Sequence, residues 1–175
     1  SVLIRQQQSG DAWRPPSHLE YKLNFDAAIF SGLDRTGFGA IIRNDKGEVM
    51  AAMSVSGPRV STSDEAELLA CRRAIEFAVD AGFSRLTIEG DNSNVIQSIS
   101  SSSKNSSLLG NVVGDIRHLL RGLQWARVCF IRREANKVAH ALAQYARNSL
   151  EEDLYWMEDS PPPALEALYH DSLSL

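Results

Sequence analysis

The chain has 175 residues, of which 43% are hydrophobic and 23% charged, and its formal net charge is −4. This composition is typical of a soluble globular protein, and the length suits one domain and is short for two. The acidic balance counts against a protein that binds phosphate backbones without specificity, because such proteins are usually basic. No stretch approaches the roughly 18 apolar residues of a membrane span, and no membrane partner is expected.

The first half of the chain is patterned as strands and then a helix. Residues 1–20 are polar and end in "WRPPSHLE", which predicts an irregular lead-in or tether. Three strands follow with short turns, in "YKLNFDAAIF", "FGAIIRND" and "EVMAAMSVS", as in an antiparallel meander. A helix is predicted from about 64 to 81, with Gly82 as its C-terminal cap.

The second half alternates strands and helices. A fourth strand, "RLTIEG", precedes a short helix, the polar loop "SISSSSKNSSLLGN" and a helix over about 111–121. A fifth strand, "WARVCFIR", and a last helix, "EANKVAHALAQYARN", complete the order βββαβααβα. This order predicts an α/β fold whose five-stranded mixed sheet has three antiparallel strands, then two parallel strands, with helices flanking it. We predict one domain over residues 21–148 and a C-terminal extension over 149–175.

Two features outside this pattern bear on the surroundings of the domain. Cys71 and Cys129 both fall in apolar periodic segments, which predicts reduced core residues in an intracellular, reducing compartment. Nucleus and cytoplasm are not distinguished. Trp13 and Trp156 lie in the terminal extensions and are candidates for docking on the domain, and these extensions are also candidates for binding a protein partner.

Three acidic residues stand where an isolated charge is costly. Asp26 interrupts the apolar strand "LNFDAAIF", Glu67 lies on the apolar stripe of the first helix, and Asp91 ends the fourth strand. Each has an ordinary alternative role. Asp26 and Glu67 suit buried acids paired with a cation, and Asp91 suits the N-cap of the following helix.

Taken together, the three acids predict a metal site. Strand ends of α/β sheets collect ligand-binding residues, so the carboxylates of Asp26, Glu67 and Asp91 can converge there. Convergent carboxylates repel one another unless a hard dication neutralises them. Oxygen ligands without Cys or His suit Mg²⁺ or Mn²⁺ rather than zinc, and the chemistry of such a site is two-metal phosphoryl transfer.

Four ordered motifs, "NFDAA", "AELLACRRAIEFA", "TIEGDNSNVI" and "REANKVAHALA", resemble the ribonuclease H family of type I. With the lead-in "WRPP" before "YKLNFDAA", residues 20–148 are similar to the reverse-transcriptase-like, retroelement-derived subgroup that is abundant in plants. The resemblance implies a ribonuclease H-like fold. It also implies an endoribonuclease that hydrolyses the RNA strand of RNA/DNA hybrids with two Mg²⁺ ions.

The family uses four acids in the order Asp, Glu, Asp, Asp. The resemblance implies that Asp26, Glu67 and Asp91 are catalytic metal ligands, and it places the fourth catalytic position at His140. An imidazole brings no negative charge and suits Mn²⁺ better than Mg²⁺, so the expected activity is that of a hybrid ribonuclease altered at this position. The alternative is a weak or inactive nucleic-acid-binding or assembly module. Three retained acids favour the enzyme.

Contacts with nucleic acid are harder to predict from this sequence. Many family members carry a basic protrusion where this chain has "SSSSKNSSLLGNVVGD", so its intrinsic affinity for a hybrid is expected to be weak. Arg132 and Arg133 are candidate phosphate contacts, with structural ion pairing as the alternative. Asn92, Ser93 and Asn136 are further candidates for contacting the substrate.

Overall fold

The computed structural model describes residues 2–4, 11–101 and 108–175, and in these ranges the backbone forms one seven-stranded sheet. The strands are β1 (Val2–Ile4), β2 (Tyr21–Phe30), β3 (Arg35–Arg43), β4 (Val49–Gly57), β5 (Arg85–Gly90), β6 (Trp125–Phe130) and β7 (Leu154–Met157). The helices are α1 (Ser63–Asp80), α2 (Ser93–Ser100), α3 (Leu108–Arg121), α4 (Lys137–Tyr145) and α5 (Leu165–Ser172). The spatial order of the strands is β1-β6-β5-β2-β3-β4-β7.

The predicted α/β architecture is confirmed, but the predicted number of strands is wrong. The five predicted strands form the middle of the sheet, where β2, β3 and β4 pair antiparallel and β5 pairs parallel to both β2 and β6. Two short strands from the termini extend it, because β1 pairs parallel to β6 and β7 antiparallel to β4. They cover backbone groups that the edges of a five-stranded sheet would leave unpaired. Strands of three and four residues are too short to show an alternation in the sequence.

The helix predicted over about 111–121 begins earlier, at Leu108. Residues 102–107 of the polar loop predicted before it lie outside the described residues. The final helix is confirmed in position, although a 3₁₀ turn (Arg133–Ala135) precedes α4 and another follows it.

The sheet lies between two layers of helices. Apolar side chains of β2–β6 and of α1, α2 and α3 form the main core on one face. The other face is covered by α4 and by the segment that leads into α5, around Ile41, Ala52, Val138, Leu142 and Ala164. The site described below lies where these layers meet the carboxyl ends of β2 and β5.

Gly39 sets how closely α4 approaches the sheet. A Cβ atom at Gly39 would overlap the backbone of Ala139 and Ala143 in α4. Gly39 is also the β3 residue paired with Asp26 of β2. The missing side chain therefore lets the first turn of α4 lie against the strand position that carries Asp26.

Both terminal extensions pack on the body of the protein. Trp13 is almost completely buried, and the Arg43 guanidinium lies 3.7 Å from its ring centre. Arg43 Nη1 donates to Asp171 Oδ2 of α5 over 2.7 Å. Docking of Trp13 agrees with the expectation, whereas the boundaries at residues 21 and 148 remain predictions. Among the described residues, no helix combines the length and the apolar character needed to cross a membrane.

Candidate metal centre

The site occupies a crevice where two parallel strands separate. β2 and β5 pair from Tyr21 with Leu86 to Asn24 with Glu89, and no further. Asp26 follows two residues after the last pair on β2, and Asp91 two residues after it on β5. β2 pairs with β3 and β5 with β6 on their other sides, so the two carboxyl ends diverge at the point where the strand order changes direction. Ligands of open α/β sheets bind at such points.

Three carboxylates converge in this crevice. Asp26, Glu67 and Asp91 each offer one oxygen, and these oxygens all lie within 4.8 Å of one another. Asp26 is 3% and Glu67 8% exposed, so two of the three charges have little access to water. The Glu67 carboxyl is held by the backbone of β2. Its Oε1 accepts a hydrogen bond of 3.2 Å from the amide of Ala27, which lies beyond the last β2–β5 pair.

The helix that carries Glu67 is fixed at its N-terminus. The Thr62 side chain accepts from the amide of Glu65 at 3.1 Å, and Glu65 Oε1 accepts from the amide of Ser61 at 3.0 Å. This reciprocal capping satisfies amides that the first turn of α1 would leave unpaired. It fixes where α1 begins and therefore where its second turn presents Glu67.

The alternative role of Asp91 as a helix cap falls to its neighbour. Asn92 Oδ1 accepts from the amide of Val95 at 3.1 Å and so caps α2, while Asn92 Nδ2 donates to Asp64 Oδ1 at 2.9 Å. Asp91 Oδ2 is buried and, among the described residues, has no hydrogen-bond partner. The Asp91 carboxylate therefore does not cap α2 and is available to bind a ligand in the crevice.

The electrostatics of the cluster favour protons or a cation. Burial, followed by the charges of Asp26 and Asp91, raises the pKa of Glu67 to about 10. Burial and the Asp26 charge raise the pKa of Asp91 to about 6, against opposing effects of an Asn136 hydrogen bond, Arg133 and His140. At neutral pH Glu67 therefore keeps a proton unless a cation takes its place.

The donor atoms fit a hard divalent cation. Glu67 Oε2, like Asp91 Oδ2, is buried without a hydrogen-bond partner among the residues that the structure describes. Buried carboxylate oxygens are normally satisfied, so two orphaned oxygens in one cluster call for an explanation. A set made only of oxygen atoms suits Mg²⁺ or Mn²⁺, and either ion would satisfy both oxygens.

His140 lies in the same crevice, one helical turn after Asn136. Its Nδ1 lies 2.9 Å from Asp26 Oδ2, and 43% of its side chain is exposed. The hydrogen bond to Asp26 raises the pKa of His140, with burial acting in the opposite direction. His140, the position that the motif spacing indicated, therefore contacts the acidic cluster.

The residues predicted to contact nucleic acid differ in their exposure and in their side-chain partners. Ser93 is exposed at the start of α2, whereas Asn92 uses its side chain to cap that helix. Arg132 Nη1 makes an exposed ion pair with Asp11 Oδ1 at 2.8 Å. Arg133 is exposed and near enough to lower the pKa of Asp91. Of these four, Ser93 and Arg133 are the better placed to meet a substrate.

Asn136 is a buried connector and not a surface contact. Its Nδ2 donates to Phe25 O at 2.9 Å, and its Oδ1 accepts from Asn24 Nδ2 at 3.1 Å. Asn24 was missed by the sequence reasoning, although the two-residue period of a strand puts it on the same face as Asp26. That period was the available signal for Asn24. The contacts of Trp13 and Arg43 had none, because they join segments distant in the chain.

Fold and site together define a ribonuclease H-like α/β protein with an acidic crevice. The family model described as "Reverse transcriptase-like" matches residues 24–146, more than half of the chain. The chain belongs to this family. No match is found among the curated proteins.

Solved structures support the same fold. Ribonuclease H1 from Halobacterium salinarum is 24% identical with a TM-score of 0.67, over 74% of this chain and 98% of that one. The N-terminal ribonuclease H domain of a Mycobacterium tuberculosis protein is 20% identical with a TM-score of 0.64, over 74% and 94%. LC11-RNase H1, isolated from compost by a metagenomic approach, was solved with an RNA/DNA hybrid. In that complex it is 19% identical with a TM-score of 0.65, over 74% and 98%.

Proposed function

We propose that this protein is a divalent-metal-dependent endoribonuclease that hydrolyses the RNA strand of RNA/DNA hybrids. The observation that carries the proposal is the convergence of Asp26, Glu67 and Asp91 within 4.8 Å, with buried oxygens of Glu67 and Asp91 lacking a partner. Three acids gathered in one crevice, two of them buried, lower the stability of a fold, and such clusters are typical of functional sites. A relative of the same fold was solved in complex with an RNA/DNA hybrid, which supports this class of substrate.

The three acids would hold two Mg²⁺ ions, with Mn²⁺ as a possible substitute. When bound, such ions activate the attacking water and stabilise the leaving oxygen of a phosphodiester. Asp26 neighbours the Glu67 carboxyl, Asp91 and the His140 ring, and is the residue that would serve both ions. Glu67 and Asp91 would each hold one ion.

His140 would do what the fourth acid does in the family, with a different chemistry. Its Nδ1 is occupied by Asp26, so Nε2 is the nitrogen left to exchange a proton or to assist release of the product. A neutral imidazole adds no negative charge to the site, and Mn²⁺ accepts nitrogen more readily than Mg²⁺ does. We therefore expect cleavage to be faster with Mn²⁺.

Recognition of the hybrid would rest on shape and backbone contacts. The 2′-hydroxyls and A-form-like geometry distinguish the RNA strand, and no reading of base sequence is expected. Ser93, two residues after Asp91, and Arg133, whose charge lowers the pKa of Asp91, are both exposed, which makes them the candidates for phosphate contacts. The net charge of −4 predicts weak and strongly salt-dependent binding unless another domain or a partner contributes.

The test is a cleavage assay on a labelled RNA/DNA hybrid with Mg²⁺ and Mn²⁺ in turn. Asp26→Asn should lower the rate at least about 100-fold, since even residues that only support metal ligands commonly change activity by 10–100-fold. Asp115→Asn is the matched control, because Asp115 is exposed on α3 and pairs only with Arg72 among the contacts described for it. Single-stranded RNA and duplex DNA should stay intact.

His140→Asp separates the enzyme from its alternative, an inactive binding or assembly module. The contact between His140 and Asp26 favours that alternative, because a protonated imidazole can compensate Asp26 without a metal. Cleavage by the wild type that vanishes in Asp26→Asn would support the enzyme. A gain of activity only in His140→Asp would mean a dormant site. No cleavage by the wild type or by either variant would contradict the proposal.

Other expectations stay proposals. The lead-in "WRPP" supports membership of the retroelement-derived plant subgroup. Cys71 and Cys129 are both buried and are not joined in a disulfide, in keeping with an intracellular, reducing compartment. A protein partner at the terminal extensions would have to use residues other than Trp13, which is buried in the chain's own structure.

A further inference from the structure

A chain of buried polar side chains joins the N-terminal segment to the metal centre. Trp13 Nε1 donates to Asn24 Oδ1 over 3.0 Å, and both residues are almost completely buried. Neither Trp13 nor Asn24 has a role in the proposed catalysis. A buried indole N–H and a buried amide need partners, and here each provides one for the other.

Asn24 distributes this contact to two further elements. Its Nδ2 donates to Glu89 Oε1 of β5 and to Asn136 Oδ1 at the N-terminus of α4, each at 3.1 Å. Both amide hydrogens and the carbonyl oxygen of Asn24 are therefore used. Because Asn24 and Glu89 form the last pair before β2 and β5 diverge, this amide closes the base of the crevice.

Asn136 continues the chain to the catalytic groups. Its Nδ2 donates to Phe25 O at 2.9 Å, one residue before Asp26 on β2. The backbone carbonyl of Asn136 accepts from the amide of His140 at 3.1 Å, which sets the first turn of α4. Asn136 therefore ties the backbone beside Asp26 on β2 to the turn of α4 that carries His140.

The Trp13 end of this series of hydrogen bonds is fixed by contacts with both terminal segments. Lys22 Nζ donates to Arg14 O at 2.6 Å and lies 3.3 Å from Glu89 Oε2. The face of the Trp13 ring is covered by Arg43, which is paired with Asp171 of α5. Trp13 is therefore held at a set position beside Asn24.

We propose that Asn24 is the positioning residue of the metal centre, and that Trp13 holds Asn24 in the orientation that places Asn136 between the backbone next to Asp26 and the turn of α4 that carries His140. This rests on the proposed function for its catalytic consequence, but the hydrogen-bond relay itself belongs to the protein without metal. The N-terminal segment around Trp13 is then part of the catalytic unit and not a tether. Supporting residues of this kind typically change metal affinity or activity by 10–100-fold when mutated.

The variant that tests the relay is Trp13→Phe. It keeps an aromatic ring beneath Arg43 and removes the N–H that fixes Asn24. Trp125→Phe is the matched control, because Trp125 lies at the amino end of β6, whereas the metal centre lies at the carboxyl ends of the strands. Asn24→Ser is a second variant that shortens the relay at its centre.

Two measurements report on the relay without a substrate. Calorimetric titration with Mn²⁺ should show roughly tenfold weaker binding in Trp13→Phe and no change in Trp125→Phe. In the metal-free protein, the side-chain amide signals of Asn136 in ¹⁵N–¹H NMR spectra should shift in Trp13→Phe and Asn24→Ser but not in Trp125→Phe. With a cleavable hybrid, kcat should fall while KM stays within about twofold, because the relay does not touch the substrate.

A lower melting temperature with unchanged Mn²⁺ affinity and unmoved Asn136 signals would overturn the proposal and leave Trp13 a purely structural residue. If the wild type binds no Mn²⁺, the proposed function fails. The Asn136 signals of the metal-free variants then still decide the relay, since a shift supports it and its absence overturns it. If Trp13→Phe does not fold, Asn24→Ser gives the same two readings.

Discussion

Two groups of buried charges lie only a few residues apart along β2, and they are built in opposite ways. Beside the amino end of β2, Arg43 and Asp171 form a 2.7 Å ion pair with little exposure on either side. Further along β2, Asp26 meets Glu67 and Asp91, three groups of the same sign. The only cationic partner described within hydrogen-bond reach of this cluster is the His140 ring.

The Arg43–Asp171 pair stabilises the structure by itself, whereas the acidic cluster needs a bound cation or protons to compensate its charge. In the first group, burial lowers the pKa of Arg43 while the Asp171 contact raises it, so the protein itself supplies the compensation. In the second group, burial and like charge both raise the pKa of Glu67. Uncompensated like charges in a crevice are a mark of functional sites, whereas a paired set is ordinary in a core.

The largest expected effect comes from breaking the paired group. Asp171→Leu leaves the Arg43 charge buried alone and should lower the free energy of unfolding by about 3–5 kcal/mol. The double variant Arg43→Met, Asp171→Leu should recover most of this loss, because an apolar pair needs no compensation. Urea denaturation of the three proteins measures both values. Equal stability of the single and double variants would show that the pair is not the cause.

Moving α4 away from the sheet should disturb both groups at once, since α4 carries His140 and also packs against α5. Gly39→Ala places a methyl group on the α4 backbone and should cost roughly 1–3 kcal/mol, with weaker Mn²⁺ binding. Gly114→Ala is the control, because nothing lies within 4 Å of a Cβ there and alanine favours a helix by about 1 kcal/mol. If both variants melt at the same temperature, close packing at Gly39 is not what places α4.

Relieving the like-charge cluster should have the opposite sign to breaking the pair. Because the pKa of Glu67 is raised from 4.5 to about 10, the folded state holds this proton more tightly than the unfolded state. Stability is therefore lost as pH rises through that interval, and Glu67→Gln should restore it. We expect a gain of about 2–4 °C in melting temperature at pH 8 without metal, equivalent to roughly 1 kcal/mol. Glu76→Gln, at a half-exposed position of α1, should gain nothing.

The smallest expected effect is the number of protons released when Mn²⁺ binds. Since Glu67 is protonated at pH 7 in the metal-free protein, binding of Mn²⁺ should release about one proton. Calorimetry in two buffers with different ionisation enthalpies measures this number, and Glu67→Gln should abolish the release. Release should rise to about 1.5 protons at pH 6, where Asp91, with a pKa of about 6, is half protonated. Binding without proton release would mean that Glu67 is ionised before the metal arrives.

Most of the fold was within reach of the sequence, because it depends on local patterns. The apolar run in "YKLNFDAAIF" and the apolar stripe of α1 are each set by a few neighbouring residues, and both elements form where predicted. The edge strands β1 and β7 were not within reach. They form because an existing sheet edge offers unpaired backbone groups, which no local pattern reports.

The site divides in the same way. The sequence by itself determined that Asp26, Glu67 and Asp91 are acids in costly positions, since period and polarity are properties of single segments. Only the tertiary structure decided that Asn92 and not Asp91 caps α2, and that Asn136 is buried. It also decided that Trp13 and Asn24 support the crevice, because hydrogen bonds between segments depend on how β2, β5 and α4 meet in space.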